Sequence, residues 1–190
     1  MKIFYDVDTQ NDFMNRDGAL YVPGAEETKP NLKNVTNYAL DKQIAIIGSL
    51  DTHYGTERFK DKEGELRRNR GPFPDHCMLG SFGAKKIPET DVDGKGRYFP
   101  KQSYDIFTNP AFEVFLQMAD VKEAVVYGVA TDYCVKAAVV GMQKRGVQCY
   151  VVEDAISGVA PDTTKSALEE MATAGAKFVK TSDVLEGRVI

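Results

Sequence analysis

Ala124-Val125-Val126-Tyr127-Gly128-Val129-Ala130-Thr131-Asp132-Tyr133-Cys134-Val135 reads as a strand, a glycine break and the entry to a helix. Four apolar residues without alternation suit a strand covered on both faces, as in a parallel sheet. From Tyr133 to Lys144 the spacing turns helical, and Gly146 closes the segment. The same alternation recurs on either side. Residues 3–7, 44–50 and 147–152 are further apolar strands, with a short last one at 177–179. Helical spacing covers 31–42, entered through Pro30, then 109–118 behind Asn109-Pro110, and 161–175 from Pro161 to Gly175. Repeated strand–helix units predict an α/β fold: an open doubly wound, mainly parallel sheet with helices on both faces.

Length and composition agree with that class. The chain has 190 residues, 43% hydrophobic and 27% charged, which predicts one domain over 1–190 and excludes collagen-like, coiled-coil and largely disordered chains. A net charge of −4 is a poor start for binding nucleic acid or an anionic membrane. Three cysteines do not make a disulfide framework and suit a reducing compartment. The first residues are too briefly apolar for a signal peptide, and no apolar stretch is long enough to span a bilayer. The expectation is a cytoplasmic protein. Residues 52–100 read as one long polar loop, rich in Gly and Pro, of the kind that usually carries function.

In a parallel sheet the site forms beyond the carboxyl ends of the strands. Asp8 follows the first strand, Asp51 the second, and Cys134 lies just after the strand at 124–127. A thiol at the start of a helix meets exposed N–H groups and the positive end of the dipole, which favour a thiolate and an oxyanion. A nucleophilic cysteine needs a base. No histidine lies near it in sequence, which leaves Asp8 as a candidate, with Lys101 as a cation to hold the charge; a lone lysine is otherwise an ordinary solvated side chain. Cys149, inside an apolar strand, reads as core. Asp51-Thr52-His53 puts two metal-capable side chains on one side of an extended segment. His76, in Pro72-Phe73-Pro74-Asp75-His76-Cys77, can join them. Asp plus two His leaves open positions on a divalent ion. The bland alternative is two loop histidines and a turn carboxylate, as Asp12 and Asp17 also read.

Together these motifs resemble the isochorismatase-like cysteine hydrolase superfamily, and within it the nicotinamidase/pyrazinamidase group. Asp8-Thr9-Gln10-Asn11-Asp12-Phe13 is similar to the family's D-x-Q-x-D-F signature, Gly128 to Val135 to its nucleophile motif, and Asp51-x-His53 with Pro72 to Cys77 to its metal segments. The resemblance implies a catalytic triad of Asp8, Lys101 and Cys134. It implies an oxyanion hole from the backbone N–H groups of Ala130 and Cys134, with a cis peptide at Val129–Ala130. It implies metal ligation by Asp51, His53 and His76, and substrate-binding aromatic walls at Phe13 and Phe73. Two departures stand out: Glu57 occupies the place where many relatives have another His, and a wall that is often Trp is here Phe73, in a chain with no Trp.

The implied activity is hydrolysis of nicotinamide to nicotinate and ammonia through a cysteine thioester, with a place in NAD salvage. The implied cofactor is a divalent metal ion, zinc first, with iron or manganese as alternatives. The implied partner is a small aromatic amide, with no nucleic acid and no membrane, and self-association into a homo-oligomer is left open. Two other readings stand beside it: a related cysteine hydrolase of N-carbamoyl or ureido compounds, and a non-catalytic ligand-binding relative. Glu57 as an extra ligand, and the role of Cys77, are left open.

Overall fold

The apolar runs read as strands all join one sheet. A computed structural model of the protein describes residues 1–54 and 73–189. Its strands are β1 (Lys2–Val7), β2 (Ala45–Asp51), β3 (Arg97–Lys101), β4 (Glu123–Val129), β5 (Gln148–Ser157) and β6 (Lys177–Val179). They lie in the order β3-β2-β1-β4-β5-β6, and every pairing is parallel. The helices are α1 (Asn11–Met14), α2 (Ala25–Asp41), α3 (Pro110–Met118), α4 (Lys136–Gln143), α5 (Pro161–Thr173) and α6 (Thr181–Leu185).

Side chains along β1 alternate between two cores. Ile3, Tyr5 and Val7 pack with Phe112 and Leu116 of α3, Ala138, Val139 and Met142 of α4, and Met171 of α5. Phe4 packs with Leu32, Val35 and Ala39 of α2 and Val184 of α6. Both faces of the sheet are therefore covered, which is why its central strands are apolar without alternation. The strand order reverses between β1 and β4, and the crevice beyond that switch point is where such sheets bind ligands. No helix among the described residues is long and apolar enough to cross a membrane.

The elements differ from expectation in several places. The helix expected from residue 31 begins at Ala25 and carries Pro30 inside it. Glu26 and Glu27 in its first turn complement the positive end of the dipole, and the Thr28 hydroxyl donates to the Ala25 carbonyl at 2.7 Å just before the proline. The irregular stretch expected over 52–100 ends earlier, because residues 97–101 form β3. It is an edge strand paired only with β2, where Pro100 is tolerated. The helix expected from Tyr133 opens as a π turn over Thr131–Val135 before α4 begins. α6 was not anticipated. Asp183 accepts the Lys180 N–H at its start, and Asp154 accepts the Thr181 N–H.

Gly128 sits at φ 115°, and a Cβ there would fall 2.1 Å from the Val7 carbonyl oxygen of β1. Gly128→Ala is expected to cost about 3 kcal/mol, the upper end of the usual range for a point substitution, measured by urea unfolding. A loss under about 0.5 kcal/mol, the scale of an ordinary surface change, would contradict this close approach.

Candidate active site

Strand register brings the site together. Val7 pairs with both Ser49 and Gly128, and Asp51 pairs with Lys101, so the residues at and just beyond four carboxyl ends meet. Asp8 leaves β1 in the left-handed region, at φ 49°. Its Oδ1 accepts the Ser49 hydroxyl at 2.7 Å, and its Oδ2 lies 2.7 Å from Lys101 Nζ. Lys101 is 2% exposed. Its ammonium also lies 3.6 Å from Asp51 Oδ1 and donates to Cys134 Sγ at 3.3 Å. Burial opposes the charge on Lys101, but Asp8, Cys134 and Asp51 outweigh it and hold the ammonium well above its ordinary pKa.

Cys134 lies in the π turn that follows β4. The Val129–Ala130 peptide is cis, and the Ala130 carbonyl accepts N–H bonds from Tyr133 and Val135 at 3.1 Å each. Asp132 anchors the turn: its carboxylate accepts the N–H groups of Val159 and Ala160 and the Thr163 hydroxyl, at the start of α5. Effects beyond the helix start act on this thiol. Burial pushes the Cys134 thiol well up; Lys101 pulls it down, but Asp8 and Asp51 add to the rise.

Asp51, His53 and His76 are all buried and offer one ligand atom each within 4.8 Å of one another. Nε2 of both histidines lies 3.0 Å from Asp51 Oδ2. His76 Nδ1 lies 2.6 Å from the Pro74 carbonyl. A carbonyl only accepts, so Nδ1 carries the proton, and in the neutral ring Nε2 offers its lone pair on the side of the Asp51 carboxylate. Two lone pairs at that distance repel unless a proton or a cation lies between them. A ligand histidine held by its other nitrogen is the usual support of a metal site, so these residues fit a divalent ion. Burial opposes ionisation of Asp51, but Lys101 and the two histidines hold its carboxyl far below the usual range. Gln10 pins this ligand's backbone, donating to the Asp51 carbonyl and accepting the Asp51 N–H, both at 2.8 Å. Glu57 and Pro72 lie outside the described residues.

The isochorismatase domain model matches residues 6–183. The chain belongs to the isochorismatase family. It is 30% identical to the nicotinamidase of Escherichia coli (strain K12), over 93% of each chain. It is 29% identical to the nicotinamidase/pyrazinamidase of Mycobacterium tuberculosis, covering 96% of this chain and all of that one. Among solved structures, it is similar to the Pyrococcus horikoshii pyrazinamidase in complex with zinc, with a TM-score of 0.81 and 29% identity over 94% of this chain and 98% of that one.

In this isochorismatase-family chain, one pocket is lined by all the residues proposed from sequence: Asp8, Lys101, Cys134, Asp51, His53, His76, Phe13, Phe73 and Ala130. Phe13 packs on the His76 ring, with centroids 5.5 Å apart. Two further aromatic residues, Tyr104 and Tyr133, line the same pocket. Their rings lie 5.1 Å apart, and Phe73 stands 6.5 Å from the first and 5.9 Å from the second. The mark of Tyr133 in the sequence is its place directly before the cysteine; that of Tyr104 is no more than its nearness to Lys101. Leu20, Tyr21 and Val22 form another wall. This rim is tied to α2 through Arg16, which pairs with Glu26 at 2.7 Å and Glu27 at 2.6 Å on the surface, while the Tyr21 hydroxyl reaches Glu27.

Lys101→Met leaves two buried carboxylates without their shared cation. It is expected to destabilise the fold by about 3–5 kcal/mol. Adding Asp8→Asn should recover part of that loss, since residues in one ion cluster couple. Chemical denaturation of the two single variants and the double variant checks this, and simple additivity would refute the coupling.

Proposed function

We propose that the protein hydrolyses nicotinamide, or a closely similar aromatic carboxamide, to the acid and ammonia through a thioester on Cys134. The observation that carries this reading is the convergence in one pocket of Asp8, Lys101 and Cys134 with the Asp51, His53 and His76 set. Similarity to the nicotinamidases named above supports the choice of substrate.

Phe13 and Phe73 would flank the substrate ring. Asp51, His53 and His76 would hold a divalent ion, zinc in first place. When bound, that ion supplies a Lewis-acidic anchor for the ring nitrogen and so orients the amide.

Asp8 accepts the thiol proton as Cys134 attacks the carboxamide carbon. The ammonium of Lys101 stays beside both groups and offsets the negative charge that moves between them. The tetrahedral oxyanion meets the N–H groups of Ala130 and Cys134; one such donor is typically worth about 2.7–4 kcal/mol. Asp8 then gives its proton to the departing ammonia, leaving the acyl group on Sγ. Asp8 next takes a proton from water as it attacks the thioester, and returns it to the thiolate as the acid leaves. Asp8, which shares Lys101 with Cys134, works as the shuttle in both halves of the cycle.

Ammonia release from a panel of small amides, with and without a chelator, tests the proposal. Nicotinamide should be favoured, the chelator should abolish turnover, and zinc should restore it. Cys134→Ala and Asp8→Asn should each lose at least about a thousandfold in kcat. Full turnover by Cys134→Ala would sink the mechanism. A metal-free protein fully active on N-carbamoyl compounds would replace the substrate assignment.

A further inference from the structure

Asp12 belongs to α1, one residue before Phe13, and its side chain is not part of the pocket lining. Its carboxylate nevertheless reaches two other segments. Oδ2 accepts the N–H of Cys77 at 2.7 Å, and Oδ1 accepts the N–H of Ala19 at 3.1 Å. The first of these bonds falls on the peptide that joins His76 to Cys77, and so fixes the plane from which the His76 side chain departs. Cys77 itself stands in the left-handed region at φ 48°, with its side chain buried. Its carbonyl accepts the His53 N–H at 3.1 Å. The residue between the two histidine segments is thus gripped at both peptide groups, by Asp12 on one side and by His53 on the other.

The carboxylate is walled in from behind. The Asp12 N–H donates to the Gly83 carbonyl at 3.0 Å, and a Cβ on Gly83 would fall 2.1 Å from the carboxylate carbon and from both its oxygens. Only a residue without a side chain lets the 82–85 segment close over Asp12. The left-handed conformation of Cys77 is unfavourable for a residue with a Cβ and persists only where its surroundings hold it. The Asp12 bond supplies that hold.

We propose that Asp12 is a positioning residue for the metal site: through the Cys77 N–H it holds His76 in register with Asp51 and His53. This rests on the reading of those three residues as ligands. Asp12 touches neither the ion nor the substrate, so its effect should appear first in metal affinity, with turnover following only where zinc is limiting.

The test is competitive zinc titration of chelator-stripped full-length protein, in the wild type and in Asp12→Ala, Asp12→Asn and Gly83→Ala. Removing a support of a ligand typically costs about 10–100-fold in metal affinity. Asp12→Ala is expected to weaken zinc binding by that factor. Gly83→Ala, which displaces the carboxylate without deleting it, should act in the same direction. Both should regain ammonia release at saturating zinc, a rescue that general loss of fold does not permit. If Asp12→Ala does not fold, Asp12→Asn, which keeps the shape and one acceptor oxygen, decides the matter by the same titration. Zinc affinity within twofold of the wild type in the folded variants, even with a lower metal-free Tm, would overturn the proposal and leave Asp12 a structural clip. Wild-type protein that binds no zinc would instead overturn the ligand reading on which the proposal rests.

Discussion

A lysine ammonium almost shut off from water stands at the centre of this molecule. Lys101 lies against Asp8, Asp51 and Cys134 at once. A buried charge is tolerated only where opposite charge and hydrogen bonds replace its hydration. The cluster therefore needs all its members, and its members come from the ends of separate strands. Parallel pairing sets Lys101 beside Asp51 and places the start of the Asp8 turn next to β4. A one-residue slip of β3 would turn Lys101 to the other face of the sheet. The register of an edge strand and the charge balance of the pocket are one constraint.

Around that cluster the pocket is built from two kinds of structure. Asp8, Asp51, Lys101 and the cysteine turn stand on the sheet, where covered faces and a reversed strand order create a crevice. His76, Phe73 and the 17–22 rim come from irregular chain, which has no ladder of its own to fix it. Side chains of the N-terminal segment supply the fixing. Gln10 satisfies both backbone groups of Asp51, and Asn11 donates to the carbonyls of Phe82 and Lys85. A second buried ion pair, Lys86 with Asp6, joins the same segment through Thr9. The short stretch after β1 thus behaves as a rivet between sheet and loop.

How much of this was legible in the sequence follows from the kind of force involved. Apolar runs at 3–7, 44–50 and 124–127 report double-sided burial directly, and the acidic and thiol residues at their ends follow from the geometry of parallel sheets. Lys101 was singled out from other lysines mainly through family resemblance, because a lysine close to two aromatic residues looks like any solvated lysine. β3 itself is too short and too polar to announce a strand. The upward push on the Cys134 thiol was not legible, since a helix dipole is a local feature whereas the burial and the carboxylates that oppose it arrive from distant parts of the chain. Tyr104 reaches the pocket from the segment just past β3, a stretch outside every element and loop read from the sequence. Asp12 looked like a turn carboxylate because acceptance of backbone N–H groups leaves no mark on composition or period.

The ion pairs of the pocket sit in two different media. Those that line it are enclosed by protein, whereas Arg16, Glu26 and Glu27, which brace the wall carrying Tyr21 from outside the pocket, face solvent. Mobile ions screen exposed pairs over about 10 Å at 0.1 M ionic strength and reach enclosed ones far less. The same pocket thus has a mouth whose electrostatic ties loosen as the medium becomes saltier and a base that hardly registers the change. Ionic strength acts on how the wall carrying Tyr21 is held, while the arrangement of the buried charged groups in the pocket is insulated from the composition of the surrounding fluid.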